Sequence, residues 1–107
     1  MALYMVQATY SEKGTARLVD NPQDRAEAIR PVIEKLGGTL HHVWHSFGEY
    51  DAIAIIDMPD NASAVAFSIA AEAAGGVKAF KTTPLMTVEE GISAMKKAKE
   101  SGYRPPQ

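Results

Sequence analysis

The run Thr39–Met58, TLHHVWHSFGEYDAIAIIDM, decides the fold of this chain. Its two halves are rich in β-branched and aromatic residues, as strands are, and Gly48-Glu49 divides them. A glycine in the first central position suits the two-residue type II′ turn of an antiparallel hairpin. The sequence therefore predicts strands over Thr39–Phe47 and Tyr50–Met58, joined by a tight turn.

Upstream of this hairpin the sequence predicts one strand and one helix. Leu3–Tyr10 is apolar and aromatic with polar interruptions, and Ser11–Gly14 follows as a turn. Asn21-Pro22 starts a helix, because asparagine caps and proline has the backbone angle of a first helical position. Gly37-Gly38 ends that helix. Pro31 lies inside it and predicts a kink.

Downstream of the hairpin the pattern repeats. Asp60 is a capping residue for an alanine-rich helix over Ala62–Ala74, which ends at a second glycine pair. Val77–Thr83 is then a strand. The run Thr87-Val88-Glu89-Glu90 matches a capping box, which predicts a C-terminal helix to about Glu100.

Two βαβ halves joined by a hairpin predict an α+β, ferredoxin-like βαββαβ fold. Right-handed crossovers place both helices on one face of a four-stranded antiparallel sheet. A chain of 107 residues is the size of a single domain. We expect residues 1–86 to form the ferredoxin-like part, and residues 87–107 to add a C-terminal helix and tail to the same domain.

The second hairpin strand is apolar on both faces. Tyr50, Ala54 and Ile56 lie on one face, whereas Ile53 and Ile55 lie at the centre of the other. An antiparallel sheet with one face in water alternates more cleanly. A second copy of the chain is the simplest cover, which predicts a homo-oligomer, a dimer or larger. The alternative is that the C-terminal helix folds back over the open face.

Composition excludes several classes of partner and site. A formal net charge of −2 provides no general attraction for nucleic acid. The absence of cysteine excludes disulfides and thiolate metal sites. No stretch approaches the roughly 18 apolar residues of a membrane span, and the N-terminus lacks the basic start of a signal peptide. We therefore expect a cytoplasmic protein without nucleic-acid or membrane partners.

The stretch Phe47-Gly48-Glu49-Tyr50-Asp51, followed by Ala52–Asp57 and then Pro59-Asp60, resembles the signature of the GYD domain family. Further matches lie at Arg25–Ala28 and Glu34–Gly38. The resemblance covers roughly residues 3 to 90. It implies a ferredoxin-like domain akin to the dimeric α/β-barrel proteins.

The hairpin supplies the candidate catalytic residues, which are His45, Glu49 and Asp51. A carboxylate whose pKa is raised by burial acts as a general acid or base, and imidazole titrates near neutral pH. The structural interpretation stands beside this one. In it Gly48 forms the turn, Tyr50 packs in the core and Asp51 accepts a hydrogen bond at the strand end.

Three histidines, His41, His42 and His45, lie within five residues, but a regular strand does not bring them to one metal ion. Alternate residues point to opposite faces, and His41 and His45 are roughly 13 Å apart along a strand. A site shared between several chains remains open, and we expect no cofactor.

The candidate ligand-binding residues are Tyr10, Trp44 and Lys81. Strand parity places Trp44 on the face of Leu40 and His42, where it packs or stacks on a ligand. If the open face lines a cavity, Tyr10, Lys81 and His45 orient an anionic or carbonyl-bearing molecule there.

Three functional classes follow. The first is a non-catalytic module for assembly or small-molecule binding. The second is a cofactor-independent enzyme, isomerase- or oxygenase-like, with its cavity on the open sheet face. The third is a metal- or haem-binding protein that uses the histidine cluster. The common nucleotide-binding loops, zinc-binding helix and serine-nucleophile motif are all missing from the sequence.

Overall fold

A computed structural model describes residues 2–107. Its strands are β1 (Ala2–Tyr10), β2 (Thr39–His45), β3 (Ala52–Met58) and β4 (Val77–Leu85). Its helices are α1 (Glu12–Asp20), α2 (Arg25–Lys35), α3 (Asn61–Ala73) and α4 (Val88–Glu100).

The four strands form one antiparallel sheet in the order β2-β3-β1-β4. The two central strands pair with Tyr4 opposite Ile56 and Val6 opposite Ala54. This architecture confirms the predicted α+β class and is compatible with the ferredoxin-like βαββαβ fold. The first crossover contains two helices rather than one.

One face of the sheet, the covered face, packs against α2 and α3. Its buried residues join those of the two helices in a single core, made of Tyr4, Val6, Ile33, Leu40, Ala54, Ile56, Met58, Ala64 and Phe67. The opposite face, the open face, carries Leu3, Met5, Trp44, Ile53 and Lys81. No helix of the described chain covers the open face enough to bury any of these five.

Several predicted helix boundaries are confirmed. The side chain of Asp60 caps α3, and Thr87 and Glu90 form the capping box of α4. Gly37 and Gly75 follow α2 and α3 with positive φ angles of 89° and 80°. In this left-handed region glycine has no Cβ penalty, so the two glycine pairs stop the helices as expected.

The prediction of a turn at Ser11–Gly14 is wrong, because these residues begin α1. The Ser11 hydroxyl caps this helix by accepting a hydrogen bond from the Gly14 N–H at 3.0 Å. The predicted helix start at Asn21 is wrong too. Asn21 instead closes α1, and the Asp24 carboxylate caps α2 by accepting from the Ala26 N–H at 2.9 Å.

The hairpin turn differs from the predicted two-residue type II′ turn. β2 ends at His45 and β3 begins at Ala52, so six residues, 46–51, form the connection. The Ser46 N–H donates to the Asp51 carbonyl at 2.9 Å, and Gly48 has a φ of 116°. The longer loop leans towards β1, where the Asp51 N–H donates to the Ala8 carbonyl at 2.8 Å.

A bulge in β2 changes which side chains share a face. Leu40 lies opposite Ile56 and His42 lies opposite Ile55, so His41 is an extra residue between them. Leu40 is therefore buried on the covered face, while His42 and Trp44 lie on the open face. The prediction that Trp44 shares a face with Leu40 is wrong, because it assumed regular alternation.

α4 stands apart from the sheet and carries no buried residue. The chain is elongated, with a longest dimension of 57 Å and a radius of gyration of 17.1 Å. A compact domain of this length has a radius of gyration of about 13 Å. The alternative in which the C-terminal helix folds back to bury the open face does not occur.

Candidate ligand-binding pocket

A cavity of about 230 Å³, the apolar pocket, opens between the covered face and the helices α2 and α3. It lies towards the start of α2 and the end of α3. Its lining is largely aliphatic and aromatic, from Val6, Ala8, Tyr10, Arg25, Ala28, Ile29, Val32, Val43, His45, Ala52, Ala54, Phe67, Ala70, Ala71, Val77 and Phe80. Ile53 also borders the pocket, although strand register places its side chain on the open face.

The pocket exists because small side chains meet where the helices lie above the sheet. The alanines come from β1, from β3 and from both helices, as Ala8, Ala28, Ala52, Ala54, Ala70 and Ala71. A methyl group does not reach across to the opposite layer. For scale, an apolar cavity of about 150 Å³ is large enough to bind benzene.

Three polar side chains, Tyr10, Arg25 and His45, join the lining of this apolar space. Tyr10 ends β1, Arg25 opens α2 and His45 ends β2, so three different elements bring them to one cavity. Burial raises the pKa of the Tyr10 phenol, the charge of Arg25 lowers it and that of Asp51 raises it. The phenol is therefore protonated at neutral pH and can donate a hydrogen bond.

Arg25 was not among the residues selected from the sequence. It lies on the same side of α2 as Ile29 and Val32, four and seven residues later, and all three line the pocket. The sequence signal that could have identified Arg25 is a cation on an otherwise apolar stripe of a helix. Its guanidinium Nη1 donates to the Gln23 side-chain oxygen at 2.9 Å, and no carboxylate of residues 2–107 lies within 4 Å of it.

A second cavity of about 250 Å³, the arginine cavity, adjoins the apolar pocket. The two cavities share Tyr10, Arg25, Ala71 and Val77 in their walls. The arginine cavity adds Arg17 from α1 and is more polar than the apolar pocket. Within residues 2–107 Arg17 likewise has no carboxylate within 4 Å.

Asp51 lies beside the pocket, and its hydrogen bonds hold the loop. Its carboxylate Oδ2 accepts from the Tyr10 N–H at 2.9 Å, which fixes the end of β1. The structural interpretation of the hairpin predicted this role, in which Asp51 accepts a hydrogen bond at the strand end. Glu49 is exposed and outside the pocket lining, and its backbone carbonyl accepts from the Thr9 hydroxyl at 2.7 Å.

The remaining two candidates lie on the other side of the sheet. Lys81 is opposite Gln7 and Trp44 is opposite Ile53, and both project from the open face. The ring of Trp44 stacks on His42 with centroids 5.0 Å apart, and 52% of the residue is exposed. The structure thus brings Tyr10 and His45 together and separates them from Lys81 and Trp44.

The histidines are divided between the two faces by the bulge. His45 lines the apolar pocket, whereas His41 reaches across the open face towards Asp57, with Nε2 3.7 Å from Oδ2. The expectation that His41 and His45 share a face is wrong. Over residues 2–107 no three His, Asp or Glu side chains gather closely enough to hold a metal ion.

Comparison with known protein families identifies a matching domain family. The model of the GYD domain family matches residues 4–95, past the residue 90 at which the resemblance was expected to end and into α4. No curated protein and no solved structure matches the chain significantly. Across the described residues, every helix is too short or too polar to cross a membrane.

Proposed function

The chain belongs to the GYD domain family, and from this premise we propose that it is a non-catalytic module that binds a small molecule in the apolar pocket. The observation that carries the proposal is an open, largely apolar pocket with three polar residues, Tyr10, Arg25 and His45, in its wall. Ligand sites are typically concave and apolar, with few polar groups that orient the ligand. The small volume favours a ligand of about the size of a substituted benzene ring.

The test of this proposal uses neutral aromatic probes and two matched variants. Benzyl alcohol is titrated into the ¹⁵N-labelled protein, and amide shifts are followed by NMR. We expect the largest shifts at Ala8, Ala52 and Ala71. Ala52→Leu fills the pocket and abolishes them, whereas Ala79→Leu, the same change on the exposed open face, leaves them intact.

Two results would count against the pocket as a ligand site. One is the absence of saturable shifts for benzyl alcohol and for related neutral aromatics. The other is retention of binding in Ala52→Leu while Ala79→Leu loses it, since that outcome places the ligand on the open face.

A second proposed function is self-assembly into a homo-oligomer, and it is favoured by unpaired apolar surface. Trp44 and Leu3 are exposed on the open face. On α4, Val88, Ile92 and Met95 follow each other at helical spacing and are all exposed. Extended apolar surface of this kind is unusual on a monomer. A second copy of the chain is the favoured partner, because it carries the same apolar patches and a symmetric contact would bury both at once.

Sedimentation equilibrium tests the assembly with a matched pair of substitutions. Val88→Asp places a charge on the apolar stripe of α4, and Val19→Asp places one on α1; the two valines are 82% and 73% exposed. We expect a dimer or larger assembly for the wild type and for Val19→Asp, and a shift towards monomer for Val88→Asp and Trp44→Asp. A wild type that stays monomeric at every concentration would remove this proposal.

A further inference from the structure

We infer that the ligand of the apolar pocket is an amphiphilic anion, a compact aromatic or branched body with a carboxylate that Arg25 binds where the two cavities meet. This inference rests on the proposed binding function and adds the chemical class of the ligand. It concerns Arg25 and Arg17, neither of which was singled out by the sequence for binding.

The charges at the junction favour an anion. Arg25 lines both cavities and Arg17 lines the second, and neither has a carboxylate within 4 Å in the part of the chain from 2 to 107. A guanidinium presents several N–H donors in a planar fork that matches a carboxylate. The one hydrogen bond from the Arg25 side chain goes to Gln23, so other donors of the fork are free for a ligand within the described structure.

The nearby acidic groups are already engaged by the backbone. The Asp51 carboxylate accepts from the Tyr10 N–H at 2.9 Å, and the Asp24 carboxylate accepts from the Ala26 N–H at 2.9 Å. In residues 2–107 neither carboxylate lies within 4 Å of the Arg25 guanidinium, so neither takes up its remaining donors. The Tyr10 phenol is protonated at neutral pH and adds a neutral donor beside Arg25.

The shape of the two cavities sets the arrangement of the ligand. The apolar pocket of about 230 Å³ exceeds the volume that binds benzene, so it accepts a phenyl ring with a short chain. Arg25 lies in the wall shared with the arginine cavity, which leaves about 250 Å³ of more polar space beyond it. An arylalkanoate places its ring in the first cavity and its carboxylate at the shared wall.

The experiment compares 3-phenylpropanoate with 3-phenylpropanamide, which differ in charge and little in size. Affinities are measured by NMR titration at fixed ionic strength. A charge-assisted hydrogen bond predicts that the carboxylate binds about tenfold tighter than the amide. Arg25→Gln should remove about that factor for the carboxylate and leave the affinity for the amide unchanged. Arg30→Gln is the matched control, since Arg30 lies on the same helix outside both cavities.

The outcomes separate this inference from the proposed function. Equal affinities for the two probes, or a carboxylate affinity that survives Arg25→Gln, overturns the anionic ligand and leaves the pocket as a site for neutral molecules. If neither probe nor benzyl alcohol binds, the pocket function and the inference fall together. Equal losses in Arg25→Gln and Arg30→Gln also overturn the assignment to Arg25.

Discussion

The two ends of the covered sheet face differ although the same two helices lie over both. At the packed end Ile33, Ile56 and Met58 have no exposed surface and fill the space between sheet and helix. At the pocket end Ala8 and Ala52 face the helices across a cavity of about 230 Å³. The secondary structure is the same at both ends, so side-chain size makes the difference.

This difference assigns separate tasks to the two ends. Close packing removes apolar surface from water and stabilises the fold, whereas an open cavity forgoes contacts that larger side chains would make. Natural proteins often give up such contacts where a ligand binds. The packed end is therefore expected to carry the stability, and the pocket end to tolerate changes in size.

The largest effect is expected for Ile56→Ala at the packed end. This change leaves a cavity in a fully buried place, and we expect a loss of about 2–5 kcal/mol in the free energy of unfolding. Urea denaturation followed by circular dichroism measures it. A loss no larger than that of a surface substitution would show that the packed end is not tightly filled.

A smaller loss is expected where α1 approaches the start of β4. A Cβ atom on Gly14 would overlap the carbonyl oxygen of Gly76, so Gly14→Ala displaces α1 and should cost about 1–3 kcal/mol. Gly91→Ala in α4 is the control, because nothing lies within 4 Å of the added atom. That control should gain about 0.5–1 kcal/mol from better helix propensity. If the two variants shift the denaturation midpoint in the same direction, the close approach of α1 to Gly76 is contradicted.

A near-neutral effect is expected for Ala52→Leu at the pocket end. The larger side chain enters empty space, so the free energy of unfolding should change by less than about 1 kcal/mol. Ala64→Leu makes the same change at the packed end, where Ala64 is buried, and should lose about 1–3 kcal/mol. If both variants lose the same amount, the two ends do not differ in packing.

The smallest effect concerns the charge that caps α3 at the packed end. Hydrogen bonds from Ser63 lower the pKa of the Asp60 carboxyl below its ordinary value. The resulting stabilisation is fully present above the ordinary aspartate pKa of about 3.9 and is lost as the pH falls through the lowered value. Asp60→Asn keeps a capping oxygen without the charge, so its small Tm deficit at neutral pH should vanish on acidification.

The control for that titration lies at the pocket end. Ser11 caps α1 with a neutral hydroxyl, so the Tm deficit of Ser11→Ala should stay constant over the same pH range. A deficit of Asp60→Asn that persists in acid would show that the Asp60 charge contributes nothing to α3.

The sequence was sufficient for most of the fold because its signals were local. The glycine pairs after α2 and α3, the Asp60 cap and the Thr87–Glu90 capping box each act within a few residues. The failure to predict α1 from the sequence has a physical cause. Gly14 disfavours a helix by about 1 kcal/mol, and the reason for it, the approach to Gly76, is visible only in three dimensions.

The pocket could not be predicted from the sequence either, because it too depends on contacts between distant parts of the chain. Tyr10 and His45 were candidates, but the cavity they share depends on alanines converging from β1, β3 and two helices. The sequence-based prediction put the cavity on the open face, because no helix was expected to fill the space there. The structure has it beneath the helices instead, where small residues leave a gap that no spacing rule predicts.

The extra residue at His41 acts on β2 as a frameshift acts on a reading frame. On one side of it Leu40 follows the phase that points into the core, and on the other side Trp44 follows a phase that points outward. Deleting His41 would remove the bulge and leave regular alternation, in which Leu40 stays on the covered face and Trp44 on the open face. The bulge thus lets Leu40 and Trp44, four residues apart in the sequence, lie on opposite faces of the sheet.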